Sequence, residues 1–522
     1  MTTTKKKPAP SKAAGSGSNT GAAAARAGDA HLLIGGQWVA GDGAVSRKIM
    51  NPADTRELVA EVREASFEQV DAACLAAQQA FATWRLTPPP ARAEVLFKFR
   101  QLLSEHFDEL AQLVVRENGK LLSEAKGSVR RGFDAVEFAC GIPTQMMGKS
   151  LPDVSRNVDS YDVLEPVGVC VGIPPFNFPA MIPMWMMPIA VACGNAFILK
   201  PSEKAPLTGT RLVELFAAAG LPAGVVSVIQ GGREVSERLI ANAAVAAISF
   251  VGSSAVAESI YRNAANAGKR VQALGGAKNH LLVMEDADLE RSLPALIGSC
   301  FGCAGQRCLA GSVVVAVGDK QRQDAVVNAF VREAKALKLG AGDDESATLC
   351  PVNSLEQKQR ILGWIDRGVK EGATLALDGR PHSSVAALPH GAFVGATVFD
   401  GVTPEMAIAQ EEIFGPVVAI LRAKDLDEAI TLTNRSRYGN SASIFTQSGA
   451  AARAFRARIQ CGMLGVNLGV PAPMAFFSFG GWKKSLFGDL HAHGPDAVAF
   501  YTRKKVVTER WFGAEPPKEG WV

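Results

Sequence analysis

NAFILKPSEKAPLTGTRLVELFAAAGLPAGVVSVIQ, residues 195–230, changes its periodicity twice. "NAFILK" (195–200) is a short apolar run of strand type, and "PLTGTRLVELFAAAG" (206–220) carries helical spacing and ends in glycine. "GVVSVIQ" (224–230) returns to strand. The same rhythm continues downstream, with a strand at "VAAISFVG" (245–252) and a helix at "SAVAESIYRNAAN" (254–266). Strands separated by helices of this length cannot be hairpins. They form a parallel sheet with right-handed crossovers, because a parallel neighbour needs a connection long enough to return to the same edge. The expectation is a doubly wound α/β unit whose ligand sits at the C-terminal ends of its strands.

Working outward, Val70, Ala73, Cys74, Ala77, Phe81 and Trp84 recur at helical spacing over residues 66–84, and a further helical block follows Pro90. "NVDSYDVLEPVGVCV" (157–171) reads as extended strands turning near Glu165-Pro166. The second half repeats the α/β style. A helix precedes Cys300, strands are expected at 312–317, 416–421 and 441–446, and helices near 321–338 and 355–370. "VAFYTRKKVV" (498–507) alternates like an edge strand able to pair with another subunit. The uncharged run from Phe178 to Leu199 is long enough to suggest a membrane helix. Pro179, Pro183, Pro188 and Gly194-Asn195 interrupt it, so a buried loop, helix and strand is the reading preferred.

The chain has 522 residues, 48% of them hydrophobic and 20% charged, which suits two or three globular domains. Its formal charge of +4 is small for that length and sits partly in a basic leader, so neither a nucleic-acid surface nor a membrane partner is indicated. Residues 1–30 hold no bulky apolar residue after Met1 and one arginine, so a flexible tail is expected and not an amphipathic targeting helix. Nine unevenly spaced cysteines fit free thiols in a reducing compartment, the cytoplasm, and not a disulfide framework. The seven histidines include no metal-ligand spacing.

Chemistry concentrates in "FGCAGQRCLAGS" (301–312). A thiolate adds readily to an aldehyde, and the adduct can be oxidised by hydride removal to a thioester. Cys303 lies against the end of a helix. Cys308 falls in a loop entering a strand, and Arg307 beside it favours the thiolate. A metal site of Cys300, Cys303 and Cys308 lacks a fourth ligand, so no metal is expected. A buried, inert thiol is the other alternative, and composition alone would favour it.

The ordered set "PFNFP" (175–179), "LKPSE" (199–203), "FVGSS" (250–254), "LGGAKN" (274–279), "GQRC" (305–308) and "EEIFGPVV" (411–418) resembles the aldehyde dehydrogenase superfamily over about residues 32–508. The resemblance implies that Cys308 is the nucleophile and that Asn177 supplies a neutral donor to the oxyanion. It implies NAD as cofactor. Lys200 and Glu203 would lie at the adenosine ribose, where a carboxylate favours NAD over NADP, with Lys204 beside the same ribose. A surface ion pair is the alternative for these lysines. Gly252 and Ser253 would offer N–H groups to the pyrophosphate, with Ala257 where many members have a second glycine. Glu412 and Phe414 match the pair at the nicotinamide ribose and ring. Pro174, Phe176 and Gly275 complete the cofactor set, Phe176 standing where many members carry tryptophan.

Hydrolytic members read "ELGG", their glutamate activating water; here "QALGGAKNH" puts Ala273 in its place. Positioned bases contribute roughly 10²–10⁴-fold, so water becomes a poor acceptor of the acyl group and a thiol a better one. This loss, with "FNFPAMIP" (176–183), "RGFDAVEFACG" (131–141) and "RYGN" (437–440), resembles the coenzyme-A-acylating methylmalonate-semialdehyde dehydrogenase branch. That branch implies Arg131 and Arg307 as ligands of a substrate carboxylate. The alternatives are a solvated helix face for Arg131 and a structural salt bridge for Arg307.

The implied activity is NAD-dependent oxidation of methylmalonate or malonate semialdehyde with decarboxylation and acyl transfer to coenzyme A. A hydrolytic aldehyde dehydrogenase releasing free acid is the alternative, and a non-catalytic paralogue a more distant one. The implied architecture is a Rossmann-type NAD-binding domain (31–155 and 172–282), an α/β catalytic domain (283–480), and a small β oligomerisation element (156–171 and 495–510). That element would build a homotetramer as a dimer of dimers.

Overall fold

The computed structural model describes residues 31–381 and 383–512, so the leader 1–30 lies outside the described residues. Its largest sheet has eight strands. Five are parallel, in the order Val226–Val228, Ala196–Leu199, Val169–Ile173, Val245–Val251, Arg270–Leu274. The first strand in sequence is therefore central, and the chain winds outward from it in both directions. Antiparallel strands flank them, Leu32–Ile34 and then Gln37–Val39 on one side and Leu486–Phe487 on the other. The winding reverses between Val169–Ile173 and Val245–Val251, which opens a crevice above their C-terminal ends.

A second sheet of seven strands is parallel except at Thr374–Leu377. Its middle is Val417–Ala423, Gly311–Val317, Asn279–Val283 and Ser441–Phe445. Residues 275–278 carry the chain from the C-terminal end of one sheet to the N-terminal end of the other. That short crossing sets the two edges against each other. The loops entering Gly311–Val317, Val417–Ala423 and Ser441–Phe445 consequently face the crevice of the first sheet.

Helices cover both faces of the first sheet, with separate apolar cores on each side. The uncharged run forms a helix at Met181–Ala192, buried from Ile182 onward, then the strand Ala196–Leu199. Pro183 falls in its first turn, and only Pro188 interrupts the ladder. Among the described residues no helix is long and apolar enough to cross a membrane. Helix Leu122–Cys140 packs closely on it: a Cβ at Gly132 would stand 2.2 Å from Met184 Cε.

Three sequence expectations need correction. Residues 156–171 do not form one outlying unit. Val158–Pro166 pairs antiparallel with Thr502–Arg510 and Ser150–Ser155, whereas Val169–Ile173 is the central strand of the large sheet. Gly168, at φ +137°, turns the chain between them. "VAFYTRKKVV" begins in a helix, Gly494–Tyr501, and only Thr502 starts the strand. Asn279–Val283 pairs wholly within the second sheet, so the crossing precedes residue 283.

Candidate active site

Cys308 is held by a turn with little freedom. Helix Leu289–Phe301 ends at Gly302, and Cys303, Ala304 and Gly305 follow with φ of 53°, 51° and 67°. Consecutive left-handed residues are costly for L-amino acids and persist only where the surroundings dictate them. Here Glu124 Oε1 accepts the Cys303 N–H at 2.6 Å, and a Cβ at Gly305 would stand 2.3 Å from the Gly415 carbonyl. Beyond the turn, Asn177 Nδ2 donates to the Gln306 carbonyl at 2.9 Å, and Gln306 Oε1 accepts from the Asn353 N–H at 3.0 Å. Asn279 and Asn440 both donate to the Cys308 carbonyl, at 2.8 and 2.7 Å. Three asparagines from three elements thus fix the loop through its carbonyls.

Two cavities meet at this cysteine. One, of about 300 Å³, is bordered by Arg131, Arg307, Phe178, Trp185, Cys303 and Cys308, among others. The other, of about 350 Å³, is bordered by Phe176, Asn177, Gly252, Glu412, Phe414 and again Cys308. Among the described residues only Cys308 belongs to both, and Cys303 borders the first alone. Among the described residues no group of three histidine, cysteine or acidic side chains could hold a metal ion.

The first cavity owes its polar wall to helix Leu122–Cys140. Glu124, Ser128, Arg131 and Ala135 fall at intervals of four, three and four, a single stripe that faces the cavity. Arg131 Nη2 donates to the Pro473 carbonyl at 2.5 Å. Arg307 Nη2 donates to the carbonyls of Gly298 and Ser299 in the last turn of the preceding helix. Arg307 Nε, Trp185 Nε1 and Ser128 Oγ are buried without a hydrogen-bond partner. Orphaned donors of this kind are rare, and three on one cavity suit an anionic guest. Nδ1 of His493 lies 2.7 Å from the Phe477 carbonyl, and its ring is packed on Trp185 and Phe479. Burial, foremost, and nearby Arg131 press its pKa down to about 4, which leaves a neutral ring beside the two cations.

The second cavity is built for close approach. Gly252 follows the strand Val245–Val251, and Ser253 caps helix Ser254–Asn266 without using its own hydroxyl. A Cβ at Gly275 would stand 2.6 Å from the Lys484 carbonyl, and one at Gly276 2.4 Å from Glu412 Oε2. Glu412 Oε1 accepts the Ala277 N–H at 3.0 Å. Phe414 adopts φ +55°, strained for an aromatic residue, and meets Phe176 edge-on at 6.0 Å between centroids. Pro175, not Pro174, is the proline bordering this cavity; Pro174 is buried behind it. Ala257 is fully buried in the core beneath the helix, so the missing second glycine leaves no gap.

Glu203 and Lys204 lie apart from that cavity, on a third one of about 840 Å³ that also includes Arg47 and Lys48. Lys200 is buried, donates to the Gly231 carbonyl at 2.9 Å and stands 3.7 Å from Glu203. Lys204 pairs with Glu356 at 3.1 Å and lies 5.7 Å from the Phe176 ring centre, between the two cavities. A glycine-lined cleft at the strand reversal, an uncapped helix start and a carboxylate farther out are the parts a dinucleotide needs. The residues present therefore fit NAD.

Burial dominates the electrostatics of the site. Burial, and secondarily the Glu412 carboxylate, push the Cys308 thiol up to about 12. The N–H groups of Cys308 and Leu309 and the Arg307 guanidinium act in the opposite direction, but more weakly. Arg307 favours the thiolate, as its charge requires, and burial outweighs it. Glu412 is itself pushed up to about 7 by burial, against the Ala277 N–H, Lys278 and Arg360. Ala273 is fully buried and borders neither cavity at Cys308.

Asn279 and Asn440 sit inside motifs already noticed, "LGGAKN" and "RYGN", without a role being read for them. Glu124, Ser128, Trp185 and His493 carry no local signal. They reach the site through helix phase and a distant chain return.

The chain is similar to known proteins over most of its length. The model of the aldehyde dehydrogenase family matches residues 38–507. Malonate-semialdehyde dehydrogenase 2 of Geobacillus kaustophilus (strain HTA426) is 52% identical over 478 residues, covering 92% of this chain and 98% of that one. The crystal structure of methylmalonate-semialdehyde dehydrogenase from Oceanimonas doudoroffii superposes with a TM-score of 0.90 at 46% identity, covering 93% of this chain and 99% of its own. A Sinorhizobium meliloti 1021 protein assigned to the same activity and complexed with NAD gives a TM-score of 0.91 at 44% identity, covering 93% and 98%.

Proposed function

The chain belongs to the aldehyde dehydrogenase family, and from that premise we propose that it is a coenzyme-A-acylating, NAD-dependent dehydrogenase of malonate or methylmalonate semialdehyde. The observation that carries this reading is the meeting at Cys308 of a cavity bearing two arginines and a second cavity suited to a dinucleotide. The names of the similar proteins support the substrate class, and the NAD complex among them supports the cofactor.

In this mechanism Arg131 and Arg307 hold the substrate carboxylate, helped by the unspent donors of Ser128 and Trp185. A semialdehyde anchored by that end presents its aldehyde carbon to Cys308 Sγ. The thiol gives its proton to solvent as the C–S bond forms, and the oxyanion meets the backbone N–H of Cys308 and the second amide hydrogen of Asn177. Among the described residues that hydrogen has no acceptor, since Asn177 Nδ2 gives only its other one to Gln306. Gly252 and Ser253 would hold the pyrophosphate of NAD, Gly275, Phe176, Glu412 and Phe414 would border its nicotinamide half, and Lys200, Glu203 and Lys204 would lie toward its adenosine; once bound, it would supply the hydride acceptor. A thioester then rests on Cys308, its β-carboxylate departs as CO₂, and the enolate left behind takes a proton from solvent. With Ala273 offering no base for water, coenzyme A takes the acyl group, giving acetyl-CoA or propionyl-CoA.

We further propose a cytoplasmic homotetramer, a dimer of dimers built through the sheet of Ser150–Ser155, Val158–Pro166 and Thr502–Arg510, and a place in the breakdown of valine or related carbon skeletons. The test is steady-state NADH formation from malonate semialdehyde with and without coenzyme A, with product identification. Coenzyme-A-dependent turnover to a thioester is expected. Full turnover without it, yielding free acid, would return the hydrolytic alternative.

A further inference from the structure

The acyl transfer proposed above needs a base to ionise the incoming thiol, and the sequence motif supplies none. Of the side chains bordering the cavity that Cys308 shares with the cofactor cleft, Glu412 is the only carboxylate. One of its oxygens is committed, Oε1 accepting the Ala277 N–H at 3.0 Å. The other, Oε2, has no donor among the described residues and lies over Gly276, where only the missing Cβ makes room for it. Glu124 is the rival on the other side of Cys308, but both its oxygens accept backbone N–H groups, from Cys303 at 2.6 Å and Leu121 at 3.4 Å. It also borders only the arginine-bearing cavity.

We infer that Glu412, once the reduced cofactor has left, is the general base that ionises coenzyme A for attack on the Cys308 thioester. Glu412 Oε2 takes the thiol proton as the coenzyme A sulfur bonds to the acyl carbon. The tetrahedral oxyanion collapses by breaking the carbon–sulfur bond to Cys308. The departing Cys308 thiolate takes the proton back from Glu412, so both groups return to their starting state and nothing is oxidised or reduced. A Cys308 pKa of about 12 makes that reprotonation strongly downhill. A Glu412 pKa of about 7 places the base near working pH, where general bases are most effective. Its charged and titratable surroundings are Lys278 and Arg360, which favour its ionised form, and Cys308, Tyr438 and the Glu411–Arg437 pair. Lys278 is buried, has no hydrogen-bond partner, and is lowered to about 8 by burial. A proton moving onto Glu412 therefore leaves an ammonium facing a neutral acid, which helps return it.

This inference rests on the acylating reading, and the experiment separates the two. Cys308 is acylated with p-nitrophenyl propionate, which needs no cofactor, and the released p-nitrophenolate counts the sites formed in wild type and Glu412→Gln. Discharge of the purified acyl-enzyme is then followed with coenzyme A and with 2-nitro-5-thiobenzoate, a thiol already ionised at neutral pH. The expected result is the same number of acylated sites in both proteins, formed faster in the variant because ionised Glu412 raises the Cys308 pKa, and discharge by coenzyme A slowed about a hundredfold or more. The wild-type rise in rate toward pH 7 is lost, and discharge by the ionised thiol is little changed. Equal slowing with both thiols, or none with either, would overturn the role of Glu412 alone. Wild-type acyl-enzyme that empties equally fast without coenzyme A would overturn the acylating reading, and this inference with it.

Discussion

Asn440 donates its side-chain amide to the carbonyl oxygen of Cys308 at 2.7 Å, although 132 residues separate the two in sequence. With Asn279 at 2.8 Å on the same oxygen, it sets the height of the nucleophile between the two cavities. Misplacement by an ångström at a reacting atom costs about a hundredfold. Asn440→Ala and Asn279→Ala should each lower kcat by roughly ten- to a hundredfold, with KM for NAD little changed. Unaltered kcat in both variants would show that the loop holds itself.

Arg131 and Arg307 approach the first cavity from different elements, and each spends only part of its donor set on backbone carbonyls. Charge-assisted hydrogen bonds contribute about 1.5–3 kcal/mol. Arg131→Leu should therefore reduce kcat/KM for malonate semialdehyde by roughly ten- to a hundredfold while leaving propionaldehyde almost unaffected. Equal losses on the two aldehydes would assign the arginine to packing.

A Cβ at Gly276 would stand 2.4 Å from Glu412 Oε2. Gly276→Ala must displace that carboxylate while the surrounding sheets remain intact. We expect weaker NAD binding and slower acyl discharge together, with an unchanged melting temperature, measured by cofactor titration and calorimetry.

The thiol of Cys308 lies well above its ordinary pKa, at about 12 without cofactor. Raising a thiol pKa removes thiolate at neutral pH, so iodoacetamide labelling should rise steadily from pH 7 to pH 9 without levelling. Because ionised Glu412 adds to that shift, Glu412→Gln should label faster than wild type at pH 8. A labelling plateau near pH 7 in the free enzyme would contradict the electrostatics described.

His280 and His493 are both buried and lowered from 6.5 to about 4. The unfolded chain binds their protons first, so stability is lost as pH falls from about 6.5 toward 4. Melting temperature should drop across that window, and His280→Asn should flatten part of the drop.

Much of this architecture is legible because the parallel strands are nearly continuous apolar runs separated by amphipathic helices. Local patterns such as residues 195–230 therefore specify their own connections. The nucleophile, its neighbouring arginine and the glycine turns are legible because their chemistry requires particular residues at particular offsets. Trp185 and His493 are not, since their importance arises only where Met181–Ala192 packs beside the turn before Gly494–Tyr501. Residues 169–171 fall with the outlying strands in the sequence reading because 157–171 reads as one extended stretch. Gly168, with its positive φ, is what redirects the chain into the central sheet. The sign of the Arg307 effect on Cys308 is legible from sequence, but the larger effect of burial is not, because desolvation depends on packing that no neighbouring residue reveals.

The most direct measurement is a single-turnover reaction of the holoenzyme with malonate semialdehyde and coenzyme A omitted. NADH release and the mass of the Cys308 peptide are followed together. The expected result is one NADH per subunit, then arrest, with an acyl adduct on Cys308 that disappears when coenzyme A is added. Continued NADH formation with free acid accumulating and no adduct on Cys308 would contradict it.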